Sequence, residues 1–269
     1  MAIISLSDMQ GFIDDHATED DLDLQGVVDA VNDWVGNYCK RIFDSTAVTE
    51  YYNGNGTAML HLDNFPVTDL TRLAVGRQAA IYIANTNTSS TASATVNLTG
   101  LVLTYNGTAS SLLFADYATL TPLVAAINAL SGWAAELADS DLGAYLSTEL
   151  CPAYGKSCIN SREVSLEIPA DAEWDFDIEP DTGVITRPSA FPAGSRNIRV
   201  DYTAGYTEDD MPEDLRLAAK IVCKDWYEKR SEGSYGLTGW AVGGMKKQIG
   251  DYIPREALRI LHAYRRFQW

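Results

Sequence analysis

Val200-Asp201-Tyr202-Thr203-Ala204-Gly205-Tyr206, followed by Met211-Pro212-Glu213-Asp214-Leu215, decides how this chain is read. The first run alternates apolar and polar residues and ends on small residues, as a strand does before a turn. Pro212 suits the first turn of a helix, because its missing N–H would find no partner there. That helix is expected over about 212–230, with Leu215, Ala218, Ala219, Val222 and Trp226 facing inward at steps of three and four. Upstream, Pro180-Asp181-Thr182-Gly183-Val184-Ile185 reads as a turn feeding a strand within a strand-rich stretch over 166–206.

The N-terminal part has the same scaffold character. Ser5 or Ser7 can cap a short helix reaching about His16. A second, longer helix is expected over Leu22 to Phe43, with Leu24, Val27, Val28, Val31, Trp34, Val35, Tyr38 and Ile42 as its apolar stripe. Asp20, Asp21 and Asp23 suit its N-terminus, where the helix dipole favours negative charge. Strands follow at Val48–Tyr52 and Ala58–Leu62, joined by the turn Asn53-Gly54-Asn55-Gly56. Pro66 re-aims the chain into a third strand over about Asp69–Val75.

Residues 78–165 differ in composition and read as an insertion. Strands are expected near 80–84, 94–98, 100–105 and 110–114, then a helix over about Leu120–Leu130. Short strands are expected at Trp133–Leu137 and Ala144–Leu146, giving a small α+β module. Residues 231–245 are Gly-rich and read as a flexible linker. A last amphipathic helix begins at Pro254. The expected division is thus 1–77 with 166–245 as core, 78–165 as inserted module and 246–269 as a C-terminal helix. The expected fold class is α+β: a helical bundle with a small antiparallel β-sheet, carrying the module and the tail helix.

Bulk composition narrows function. The chain has 269 residues, 46% of them hydrophobic, enough for a sizeable core. A net charge of −17 argues against sequence-neutral nucleic-acid binding, which needs phosphate-neutralising Lys and Arg. Residues 246–269 are the exception, with six Lys/Arg against two Asp/Glu, and suggest a basic docking segment on an acidic body. No apolar run is long enough for a membrane helix, and Met1-Ala2-Ile3-Ile4-Ser5-Leu6-Ser7-Asp8 does not read as a signal peptide.

The signals for chemistry are weak. Cys39 and Cys223 read as core residues; Cys151 and Cys158 could bridge, but two free thiols are the simpler expectation. With no CxxC, and with His16, His61 and His262 scattered, zinc is poorly supported. The acidic run Asp171, Glu173, Asp175, Asp177, Glu179 and Asp181 could hold a cation or supply a hydrolase carboxylate pair, against the simpler reading of a strand with one solvated face. Asn-x-Ser/Thr triplets at Asn55, Asn87, Asn97 and Asn106 read as a by-product of Asn/Thr-rich β composition. There is no nucleophile elbow, P-loop or dinucleotide fingerprint.

The flanking segments, in their order, resemble the head-to-tail connector (adaptor, head completion) family of tailed phages. The resemblance is carried by Tyr38-Cys39-Lys40-Arg41-Ile42-Phe43, Phe65-Pro66-Val67, Pro180-Asp181-Thr182-Gly183-Val184-Ile185, the 200–215 segment and Trp226-Tyr227-Glu228-Lys229-Arg230. It covers a little over half the chain and omits 78–165. It implies a structural virion protein of the neck, assembled in the host cytoplasm as a homo-oligomeric ring of twelve copies beneath the portal. It further implies an extended channel through which genomic DNA passes without specific binding, and an attachment surface for the next neck or tail-completion protein. It implies no catalysis, no cofactor, no metal and no membrane. The C-terminal helix is then expected to dock on the portal through Ile253, Arg259, Ile260, Tyr264, Arg265, Arg266, Phe267 and Trp269. A carbohydrate- or receptor-binding β module at 78–165, in a virion or secreted protein, is the alternative.

Overall fold

The computed structural model describes residues 2–13, 21–87, 91–171, 175–231, 239–242, 245–248 and 253–266. His16, Glu173, Phe267 and Trp269 lie outside them. Five helices are described: α1 (Leu6–Gln10), α2 (Asp21–Cys39), α3 (Leu120–Asn128), α4 (Glu213–Ser231) and α5 (Arg255–Tyr264). The strands are β1 (Thr46–Gly54), β2 (Met59–His61), β3 (Val67–Asn85), β4 (Ala92–Val96), β5 (Gly100–Tyr105), β6 (Thr108–Leu113), β7 (Trp133–Leu137), β8 (Ala153–Ser157), β9 (Val164–Asp171), β10 (Asp177–Glu179), β11 (Val184–Thr186), β12 (Gly194–Ala204), β13 (Gly239–Val242) and β14 (Met245–Gln248).

This overturns the expected helical bundle with a small sheet: strand exceeds helix, and antiparallel sheets form the frame. A five-stranded sheet runs β1-β12-β3-β7, with β9 also pairing β3; β10-β11-β2 form a second sheet and β6-β5-β4-β8 a third. The physical reason lies in β3. The sequence reads two short strands at 69–75 and 80–84, but both belong to one 19-residue strand. Gly76, at φ 83°, and the shift of register between Ala74 and Arg77 let the strand pass through a bulge instead of ending. Its first part pairs β12, its second part β7 and β9. One strand therefore ties the scaffold to the 78–165 segment.

The turn at Asn53-Gly54-Asn55-Gly56 does not make a hairpin. β1 pairs β12, and β2 pairs β11 in another sheet. Gly54 N–H donates to buried Asn197 Oδ1 at 2.9 Å, which holds the end of β1 on β12. The expected strand at Ala144–Leu146 is instead the junction of two 3-10 turns, Ser140–Ala144 and Ser147–Glu149, with a single bridge from Leu146 to Thr119. β13 pairs β14 where a flexible linker was expected.

Among the described residues, three apolar clusters form the core. One joins α1, α2, α4 and α5 through residues such as Val31, Leu215, Val222 and Leu261. A second lies between the five- and three-stranded sheets, around Phe191, Ile185 and Tyr202. The third packs α3 against β3, β4, β5 and β9 through Leu123, Ile127, Leu101 and Ile168. Cys39, Cys151, Cys158 and Cys223 are free and buried. Among the described residues no helix is long and apolar enough to cross a membrane.

Candidate interaction surface

The described part of the acidic run is a solvated strand face. On β10, Asp177 and Glu179 point outward while Ile178 faces inward, the solvated-face arrangement. Among the described residues no group of His, Cys, Asp and Glu is placed to hold a metal ion.

The C-terminal helix is the better-built feature. Ala257 and Leu261 of α5 are fully buried against α2 and α4, and Ile253, Ile260 and Tyr264 pack beside them. Arg259 and Arg265 are exposed. Of the docking residues expected from sequence, Ile253, Ile260 and Tyr264 thus lie on this chain's own helical layer, with Arg259 and Arg265 outside and Phe267 and Trp269 beyond the described residues. Polar contacts fix the end of the helix. Tyr264 Oη donates to Asp214 Oδ1 at 2.5 Å; burial and that carboxylate both raise the phenol pKa. Arg266 N–H donates to Cys39 O at 2.9 Å, satisfying a carbonyl at the open end of α2. Tyr38 Oη meets His262 Nε2 at 3.3 Å, and the Arg265 guanidinium lies over the Tyr38 ring at 5.6 Å.

Beneath this end lies a polar network that sequence reading missed. Lys40, at φ 56°, stops α2 and turns the chain into the sheet. Arg41, almost fully buried, donates to Tyr264 O at 3.4 Å and to Phe65 O, and stacks on Phe65 at 3.7 Å. Burial pulls its pKa down from the usual guanidinium range, with Tyr206 opposing. Glu50 accepts from Tyr52 Oη, from Tyr202 Oη at 2.5 Å and from Asn64 Nδ2 at 2.9 Å. Asn64 Oδ1 accepts from Ile42 N–H at 2.7 Å. These bonds hold the 62–66 loop so that Asp63 meets Arg266 as an ion pair. Burial raises the Asp63 pKa and the charge of Glu50 adds to the rise, with Arg266 opposing.

Two open clefts flank that ion pair. One, of about 590 Å³, is lined by Lys40, Arg41, Glu50, Asp63 and Arg266; the other, of about 790 Å³, by Tyr52, His61, Phe65, Arg265 and Arg266. The lining of both is mixed in charge. The only sequence signals for the network are Glu50 beside two tyrosines and the polar Asp63-Asn64 before Phe65-Pro66.

A second network joins the 78–165 segment to the scaffold. Glu149, 3% exposed, pairs with Arg72 at 3.4 Å and with Arg199, which also bonds Asp201 at 3.1 Å. Burial works against the Arg199 charge, but Glu149 outweighs it and raises the guanidinium pKa.

Residues 162–267 match the head completion protein family. That stretch runs from the start of β9 through β12, α4 and the β13–β14 hairpin to the end of α5. The connector resemblance seen in the sequence is borne out over this stretch. No curated protein matches the chain. Among solved structures, a chain of the neck of an empty gene transfer agent particle is similar at TM-score 0.44 and 12% identity, covering 99% of this chain and 91% of that one. Chains of the native gene transfer agent virion (TM-score 0.43, 12% identity, 99% and 91% covered) and of the native particle's neck (0.43, 11%, 98% and 89%) are similar as well.

Proposed function

We propose that this chain is a structural protein of the virion neck, a head-to-tail connector. The observation that carries the reading is the head-completion match over 162–267, which coincides with a scaffold of sheet and helices tied together at α5. The role is assembly and not turnover of a substrate.

The finer reading is a ring of copies, twelve by the family pattern, seated beneath the portal. Genomic DNA would pass through it, and the next neck component would attach to it. A net charge of −17 per copy supports this, because an acidic channel wall repels DNA phosphates and keeps the genome mobile. In this reading the 78–165 segment, joined to the scaffold through β3 and β9, lies on the ring's outer side. For the portal contact, exposed Arg259 on α5 and Arg265 just past its end supply the basic side chains, and Phe267 and Trp269, next in the sequence, supply aromatic anchors.

Complementation tests both levels. Loss of the chain should leave DNA-filled heads without tails, and the intact gene should restore infectivity. Full-length protein carrying Arg259→Glu and Arg265→Glu should fold but fail to restore attachment, since rim charges act on encounter and register. Normal virions without the chain would overturn the connector role. Wild-type attachment by the double variant would overturn the α5 contact alone.

A further inference from the structure

Among the described residues two arginines are buried, and they are held in different ways. Arg199 is paired with Glu149 and Asp201. Arg41, 6% exposed, donates instead to two backbone carbonyls, Phe65 O and Tyr264 O. Its guanidinium lies over the Phe65 ring at 3.7 Å and the Phe43 ring at 4.9 Å. The groups that act most strongly on its charge are Tyr206, Cys39 and Tyr264, none of them a carboxylate. A buried charge held without a carboxylate costs stability, so its use lies in what it fixes. Arg41 fixes the end of α5. Tyr264 O belongs to the last turn of that helix, where carbonyls find no helical N–H and the helix end is negative. A guanidinium from another element caps it. The neighbours of Arg41 grip the same turn: Cys39 Sγ donates to Leu261 O at 3.7 Å, Cys39 O accepts from Arg266 N–H at 2.9 Å, and the Phe43 ring meets the Tyr264 ring edge-on at 6.2 Å. The bond to Phe65 O ties that turn to the 62–66 loop, where Asp63 pairs with Arg266.

We propose that Arg41 is the positioning residue of the neck contact: buried beneath α5, it sets the pose in which the helix presents Arg259 and Arg265 to the partner. Arg41 itself does not reach the partner. Without it the last turn of α5 samples other poses, and ordering that turn again on contact weakens binding. Lysine cannot take its place. A compact ammonium lacks the planar fork that reaches Phe65 O and Tyr264 O while stacking on the Phe65 ring. The inference rests on the reading that α5 meets the portal, and adds the residue that aims it. The two fail separately, since exposed Arg259 and Arg265 test the contact and buried Arg41 tests the aim.

The experiment is co-sedimentation of the full chain with DNA-filled heads made without it, over a concentration series and below the melting temperature of every variant. Arg41→Lys should raise the concentration for half-maximal binding at least about tenfold, with the same plateau. Val31→Ala, which loosens the fully buried core of the same helical layer, is the control for lost stability alone and should bind like wild type. Hydrogen exchange of Arg41→Lys should rise at 62–66 and 261–266 and stay unchanged in β4, β5 and β6. Tyr206→Phe keeps the ring and removes the phenol that acts on Arg41, and should shift binding in the same direction by less. Binding of Arg41→Lys at the wild-type concentration, or a shift no larger than that of Val31→Ala, would overturn the inference. Should Arg41→Lys not fold, wild-type binding by Tyr206→Phe would overturn it. Normal binding by Arg259→Glu with Arg265→Glu would remove the α5 contact and this inference with it. Failure of that pair beside normal binding by Arg41→Lys would overturn this inference alone.

Discussion

The helical layer and the stretch 78–135 are built from the same chain under different electrostatic rules. The helices α1, α2 and α4 are laced with ion pairs: Lys220 with Asp8 at 3.1 Å, Arg230 with Asp23 at 2.8 Å and Lys229 with Asp225 at 2.8 Å. The module is held by Leu101, Leu103, Leu123, Ile127 and their neighbours, with almost no charge between residues 78 and 135. Surface pairs of the first kind contribute little each, so both regions stand mainly on apolar burial. The difference therefore concerns what each surface can approach. The ion pairs of the helical layer and the low charge of residues 78–135 thus leave the two regions with different surfaces on similar cores.

The largest effect should come from the joint between the two regions. Glu149→Ala leaves Arg199 and Arg72 without their shared carboxylate in a buried setting, and should cost on the order of 4 kcal/mol. Chemical denaturation would show whether the chain then melts in two steps. A single, barely shifted transition would mean that Glu149 does not couple module to scaffold. Leu123→Ala opens a cavity in the module core and should cost about 3 kcal/mol. Hydrogen exchange should rise in β4, β5 and α3 and stay low in α2 and α4; equal loosening of both regions would erase the contrast drawn above.

How far these regions were legible in the sequence differs, for physical reasons. The helices α2, α4 and α5 could be read because steps of three and four in Leu24, Val28, Val31 and Val35, or Leu215, Ala218 and Val222, depend only on local geometry. β4, β5, β6 and β7 were legible from alternation and turn residues. What could not be read was pairing. β1 and β2 looked like a hairpin because Asn-Gly-Asn-Gly separates them, yet their partners, β12 and β11, stand more than a hundred residues downstream. The length of β3 was hidden by Gly76 and Arg77, which look like a break and are a bulge. These pairings built the large sheet and displaced the expected bundle. For the interaction surface, Tyr264, Arg265 and Arg266 were visible as a basic amphipathic end. Arg41, Glu50, Asp63 and Asn64 were not, since their meeting depends on the fold.

Smaller effects sharpen the comparison. Tyr264→Phe removes the bond to Asp214 and should cost about 1 kcal/mol, loosening the end of α5 while the module is unchanged. Proteolysis near residue 264 would register it; unchanged susceptibility would mean that the bond does not hold α5. The smallest effect concerns Asp8, which closes a capping box with Ser5 and pairs with Lys220. Burial opposes its charge, but those partners prevail and hold its pKa at about 2, against 3.8 for a free carboxyl. A depressed acid adds stability above the unfolded value and loses it as pH falls through the folded one. Asp8→Asn should thus cost about 1 kcal/mol at pH 7, and the difference from wild type should fade between pH 4 and pH 2. A difference that persists at the acid end would contradict the assignment.

The central claim, that this chain joins head to tail, is tested most directly by electron microscopy of purified virions carrying an affinity tag on this protein, labelled with gold. The account predicts label at the junction between head and tail, on a ring in complete particles. Label on the capsid faces or tail fibres, or none on complete virions, would contradict it.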